Sequence, residues 1–176
     1  MHFVRYQEFY ESSNPRFKGQ KFTIIDFMEY YAKDFSKRNL FTYPKDWGGY
    51  NIPMAVISNV QNMGIDDFNK YDAFMLKLIE DIPYANECYI LGSRIGDLGT
   101  MEHEIAHSLY FTNPEYKKEM LSIIESLPQE YIDDLIEYLA RMGYHSDVYY
   151  DEIQAFMSTG SNLLTVDRRA GFDICK

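Results

Sequence analysis

Two histidines fall one helical turn apart in "GTMEHEIAHSLYF" (residues 99–111), with a glutamate directly after the first. At 3.6 residues per turn, His103 and His107 lie on one helix face, so both imidazoles can reach a single metal ion. Glu104 is rotated from them by roughly 100°. That rotation sets it beside the metal rather than on it, where it can address a water activated there. Chance produces the five-residue pattern in roughly one chain of this length and composition in 150. A metal-binding helix constrains the rest of the fold, because it needs a core behind it and further ligands from elsewhere in the chain.

The other side of the same helix carries Leu98, Met101, Ile105 and Leu109 at helical spacing. This predicts that the apolar stripe anchors the helix to the core and that the histidine face turns to a cleft.

A catalytic zinc usually takes three protein ligands and a water. Tyr110 and Asn113 stand where the pattern H-E-x-x-H-x-x-G-x-x-H needs glycine and histidine, which excludes that arrangement. His2 sits at a terminus, and His145 lies between two predicted helices. Glu152, in "YYDEIQAFM", shares a largely apolar face with Tyr149, Ala155 and Phe156. A carboxylate there is costly unless something neutralises it, so Glu152 is the expected third ligand. Asp151 is expected to turn aside, toward Val148, Gln154 and Ser158.

An H-E-x-x-H helix followed 45 residues after its second histidine (107 to 152) by a helix bearing a glutamate resembles the gluzincin metallopeptidases. The resemblance covers residues 88 to 158. It implies a zincin-like fold, with a strand before the motif helix running along the active-site cleft. It further implies His103, His107 and Glu152 as ligands of Zn2+, and Glu104 as general base and proton shuttle. The reaction it implies is metal-assisted hydrolysis of a peptide or protein substrate. Thermolysin-like members place an aspartate four residues after the ligand glutamate to orient a histidine, whereas Phe156 stands here. The orienting partner is then expected to be Asp147, Asp151 or a backbone carbonyl. Tyr149 is the candidate donor to the developing oxyanion, with Tyr144, Tyr150 and His145 as its rivals. The alternative function is a catalytically silent binding or regulatory module, its zinc site closed by Asp173 or Cys175 of the tail.

A formal net charge of -10, with only three adjacent basic pairs, argues against a nucleic-acid partner. No stretch approaches the roughly 18 apolar residues of a membrane helix, and the first residues lack the pattern of a signal peptide. Cys88 and Cys175 make no disulfide framework. These features together predict a cytoplasmic chain with no membrane partner.

The length suits a single zincin-like domain over residues 1–176. Periodicity predicts strands at 2–9, 54–60 and 87–93, and a helix from Thr23 to Phe35. A second helix is expected over 66–80, burying Phe68, Tyr71, Met75 and Leu78. From residue 98 onward, helices are expected at 98–111, 113–127, 128–143 and 146–160, while 43–53 reads as a turn-rich connection. The expected class is therefore α+β, with a small mixed sheet in the N-terminal half packed on the motif helix and a mostly helical C-terminal half.

Overall fold

The computed structural model describes residues 3–36, 39–65, 67–80, 82 and 88–160. In order, α1 (Val4–Glu11), α2 (Ile24–Tyr30), α3 (Tyr43–Asp46), β1 (Gly49–Pro53), α4 (Met54–Asn62), α5 (Lys70–Glu80) and β2 (Tyr89–Ser93) form the first part. They are followed by α6 (Leu98–Thr112), α7 (Pro114–Glu125), α8 (Gln129–Met142) and α9 (Tyr149–Thr159). The class is α+β. Among the described residues the sheet is not mixed: it is the antiparallel pair β1–β2, with Gly49 opposite Ser93 and Pro53 opposite Tyr89.

Three segments depart from the sequence expectation. Residues 2–9 were expected as a strand, but 4–11 form α1, which is buried on two sides: Tyr6 packs with Ile52 and Met54, Val4 packs with Phe17 and Phe27, and Arg5 is buried as well. A run this short fits either period, and packing decides. Arg5 is held by Asp67 at 2.9 Å and Asp72 at 3.5 Å, and donates to the Phe22 carbonyl at 2.7 Å. Residues 54–60 also form a helix. Met54, Val56, Ile57 and Val60 are buried together on one side of α4, and that burial outweighs the β propensity of the branched residues. The strand lies just before, within the stretch expected to be only turns.

Capping reads more directly. Thr23 accepts from the Asp26 amide at 3.0 Å to start α2, which ends in a π-helical turn over Tyr31–Phe35. Asn69 caps α5 by accepting from Tyr71 at 2.8 Å, later than expected. On α5 Met75 and Asp72 are buried, whereas Leu78 is 48% exposed and Phe68, which precedes the helix, 37%. Asn113 accepts from the amides of Glu115 and Tyr116, each at 3.1 Å, with Pro114 opening α7. Gly143, at φ 95°, ends α8 in the left-handed region that an L side chain resists.

Three apolar clusters hold these elements. Tyr6, Ile52, Met75 and the buried face of α4 form one. The second is aromatic, with Phe17, Phe22, Phe27, Tyr31 and Tyr43 around Val4. The third joins Ile124 of α7, the i, i+3, i+7 stripe Ile132, Leu135 and Leu139 of α8, and Ile153 of α9. Each such fully buried aliphatic side chain contributes about 1.5–3 kcal/mol. Between the first and third clusters lies α6, packed on both strands and on α9. No helix of the described residues is long and apolar enough to cross a membrane.

A candidate metal centre between two helices

The motif helix is oriented opposite to expectation. Its buried residues are Glu104, Ala106, His107 and Tyr110, while Leu98 is 74% exposed, Ile105 42% and Leu109 38%. Polar groups can face inward here because α9 delivers complementary ones. Asp151, Glu152 and Gln154 are all buried on it, and they satisfy the histidine face in place of apolar packing.

His103, His107 and Glu152 converge, each offering one ligand atom, all within 4.8 Å of one another. The two Nε2 atoms are 3.1 Å apart. Glu152 Oε2 lies 3.6 Å from His103 Nε2, and Oε1 lies 3.6 Å from His107 Nε2. Glu152 Oε2 is buried without a hydrogen-bond partner among the described residues, a state a carboxylate oxygen keeps only at a cost.

Asp151 does not turn aside. Its Oδ1 lies 2.9 Å from His107 Nδ1, and the Gln154 amide donates to the same oxygen at 2.9 Å. The Tyr116 hydroxyl of α7 in turn donates to Gln154 Oε1 at 2.9 Å. Since the carboxylate only accepts, Nδ1 of His107 carries the hydrogen and Nε2 turns toward His103 and Glu152. Burial alone would lower the pKa of His107, but Glu152, Asp151 and Glu104 outweigh it and hold it up at about 10. The pocket thus asks for positive charge at Nε2, which a divalent cation would supply in place of a second proton. Two imidazoles and a carboxylate suit a divalent transition metal, and the unpaired Glu152 oxygen fits a ligand role.

His103 is held differently. The Phe156 ring packs on it, centroids 4.4 Å apart, and its buried Nδ1 has no partner among the described residues. Phe156, at the position where thermolysin-like enzymes carry an aspartate, therefore contacts the histidine whose Nδ1 has no carboxylate partner among the described residues.

Glu104 stands apart from the trio, its Oε2 accepting from Asn51 Nδ2 of β1 at 2.9 Å. Asn51 is itself fixed by the Tyr89 hydroxyl at 2.8 Å. Burial pushes the Glu104 carboxyl above its usual range, against the pull of His107 and of the Asn51 hydrogen bond. A Cβ at residue 49 would fall on Glu104 Oε1 and on the Thr100 methyl. Glycine at that position lets β1 approach α6.

A cavity of about 440 Å³ opens over these groups, its wall including Glu11, Gly49, Asn51, Tyr144 and Phe156 beside the donor trio. Its strand wall is β1 and not β2, the strand expected to run along the cleft. Tyr149 packs against the α7–α8 cluster, on the stripe it shares with Ile153 and Met157, and does not line the cavity. Tyr144 does, and burial, then Glu152, raises its pKa so that it keeps its proton. Tyr150 is exposed. His145 accepts from the Asp147 amide at 3.2 Å, and Asp147 lies near Lys18, both away from the cavity wall. His2, Asp173 and Cys175 lie outside the described residues.

Sequence reasoning missed Glu11, Asn51, Tyr116 and Gln154. Glu11 fell just past a segment read as a strand, and Asn51 lay in one read as turns. The adjacent Asp151-Glu152 pair was the one visible signal for a doubly held histidine. Comparison with protein-family models, curated proteins and solved structures gave no match.

Proposed function

We propose that this chain is a zinc-dependent peptidase in which His103, His107 and Glu152 hold the metal and Glu104 is the general base. The observation that carries this reading is the separation of four convergent groups into three and one. Three donors face a common point, while a fourth buried carboxylate is held aside by Asn51, in the wall of the same cavity. A purely structural site has no use for that fourth group.

Zinc, when bound, lowers the pKa of a water and polarises a carbonyl. Glu104, made a stronger base by the burial that raises its pKa, would accept a proton at its ionised carboxylate and return it to the leaving amine. Asn51 keeps the carboxylate aimed, and Gly49 leaves it room. Tyr144, protonated and in the cavity wall, takes the role of hydrogen-bond donor to the oxyanion that had been assigned to Tyr149. Asp151 fixes the tautomer of His107.

The test is peptide cleavage by the zinc-loaded chain beside its Glu104→Gln variant. The expected result is cleavage by the first, with at least a hundredfold loss in the second at unchanged zinc stoichiometry. Zinc bound without cleavage of any peptide in a diverse library would refute the peptidase reading.

A further inference from the structure

A second cavity, of about 200 Å³, adjoins the metal cavity and shares Gln7, Trp47, Gly48 and Gly49 with it. Its other walls are mainly apolar: Phe3, Val4, Tyr43 and Tyr50. The Gln7 and Trp47 side chains and the bare backbone of Gly48 and Gly49 form the boundary between the two spaces. The outer wall is held in place, because Arg94 Nη2 donates to the carbonyls of Pro44, Lys45 and Trp47 at 3.1, 3.0 and 3.1 Å. On the inner side Phe3 packs on Tyr50, ring centroids 4.1 Å apart. The pocket is therefore formed before any ligand arrives, which removes the ordering cost of forming it on binding.

Resting on the peptidase reading, we propose that this pocket is a specificity site for an aromatic or large aliphatic side chain of the peptide whose scissile bond lies at the metal centre. Size and chemistry agree. A cavity of about 150 Å³ accommodates a benzene ring; the mainly apolar lining would strip a charged side chain of its hydration, and Arg94, the one charged lining residue among the described residues, is already engaged by three carbonyls. The two cavities share four wall residues, so a peptide bound across the metal centre can place one side chain in the neighbouring pocket.

Trp47 is the only tryptophan of the chain and lines both cavities, so its fluorescence reports binding without catalysis. The probes are an acetylated, amidated alanine hexapeptide and six derivatives, each with one phenylalanine, titrated into the zinc-loaded Glu104→Gln chain. One phenylalanine position should bind about tenfold to a hundredfold tighter than the all-alanine peptide, the range that burying one large apolar side chain gives. Ser93→Phe at the pocket rim, which fills the space without adding a second indole, should erase that preference and leave zinc binding and all-alanine affinity unchanged. Equal affinity for all seven peptides, or a preference that survives Ser93→Phe in a folded variant, would overturn the proposal while leaving the peptidase reading intact. A clear preference by fluorescence, with no cleavage by the unmodified chain, would instead refute the peptidase reading and keep the pocket as a peptide-binding site.

Discussion

Asp151 and His107 are joined at 2.9 Å through Oδ1 and Nδ1, and the next residue, Glu152, reaches the other nitrogen of the same ring. Two consecutive residues of α9, turned from each other by roughly 100°, therefore hold one imidazole at both ends. Asp151→Ala should weaken zinc binding about tenfold to a hundredfold, the usual effect of removing a carboxylate that orients a metal-bound histidine. Glu152→Ala should weaken it further. Competition titration with a chelating dye compares the two, with Asp147→Ala as the unaffected control. An Asp151→Ala affinity equal to that of the unmodified chain would remove Asp151 from the site.

Phe156 and His103 make the second test. With Nδ1 of His103 unpartnered among the described residues, the Phe156 contact is what constrains that ring. Phe156→Ala should lower zinc affinity several-fold, and Phe156→Leu should recover part of the loss by restoring apolar volume. If neither affects affinity, the ring is positioned by something else.

How far the sequence carried this description depended on whether a signal was local. The caps at Thr23 and Asn113, the stop at Gly143 and the i, i+4 histidines are set by neighbouring residues, and all of them read correctly. Helix orientation is not local. Leu98, Ile105 and Leu109 were expected inward, yet the inward face is Glu104 and His107. The partner of Glu104 comes from β1, more than fifty residues earlier, and that of His107 from α9, more than forty residues later. The error over Asp151 has the same origin: a helical wheel places it 100° from Glu152 but does not reveal that one histidine fills the angle between them. Tyr149 was grouped with Glu152 by spacing, and the α7–α8 cluster claimed it instead.

Gly49 offers a test of the contact between strand and motif helix. A methyl group there meets Glu104 Oε1 and the Thr100 side chain, and the Gly92 carbonyl across the sheet at 2.9 Å. Gly49→Ala should cost about 1–3 kcal/mol of stability and reduce cleavage more than zinc binding, because the base moves and the ligands do not. Denaturant unfolding and zinc titration read the two effects separately. An alanine variant with normal stability and activity would contradict the close approach of β1 to α6.

Glu8 supplies a pH dependence outside the metal centre. Burial pushes its carboxyl up to about 7, against hydrogen bonds from Tyr43 and Ser12 that pull it down. Its unfolded pKa is the usual 4.5. Between these values the folded chain holds a proton that the unfolded chain has lost. The stabilising contribution is therefore fully present below about 4.5 and disappears as the pH rises through 7. Glu8→Gln keeps an acceptor for Tyr43 and Ser12 but cannot titrate. The gap in unfolding free energy between the variant and the unmodified chain should shift in favour of the variant from pH 5 to pH 8. A gap independent of pH would show that Glu8 titrates alike in both states.

The most direct measurement is an anomalous difference map at the zinc absorption edge, from crystals of the full chain grown with zinc. The expected result is one strong peak within about 2.0–2.2 Å of His103 Nε2, His107 Nε2 and a Glu152 carboxylate oxygen, with Glu104 outside the coordination sphere. A principal peak elsewhere, or none at these residues when zinc is saturating, would contradict a metal centre built from α6 and α9.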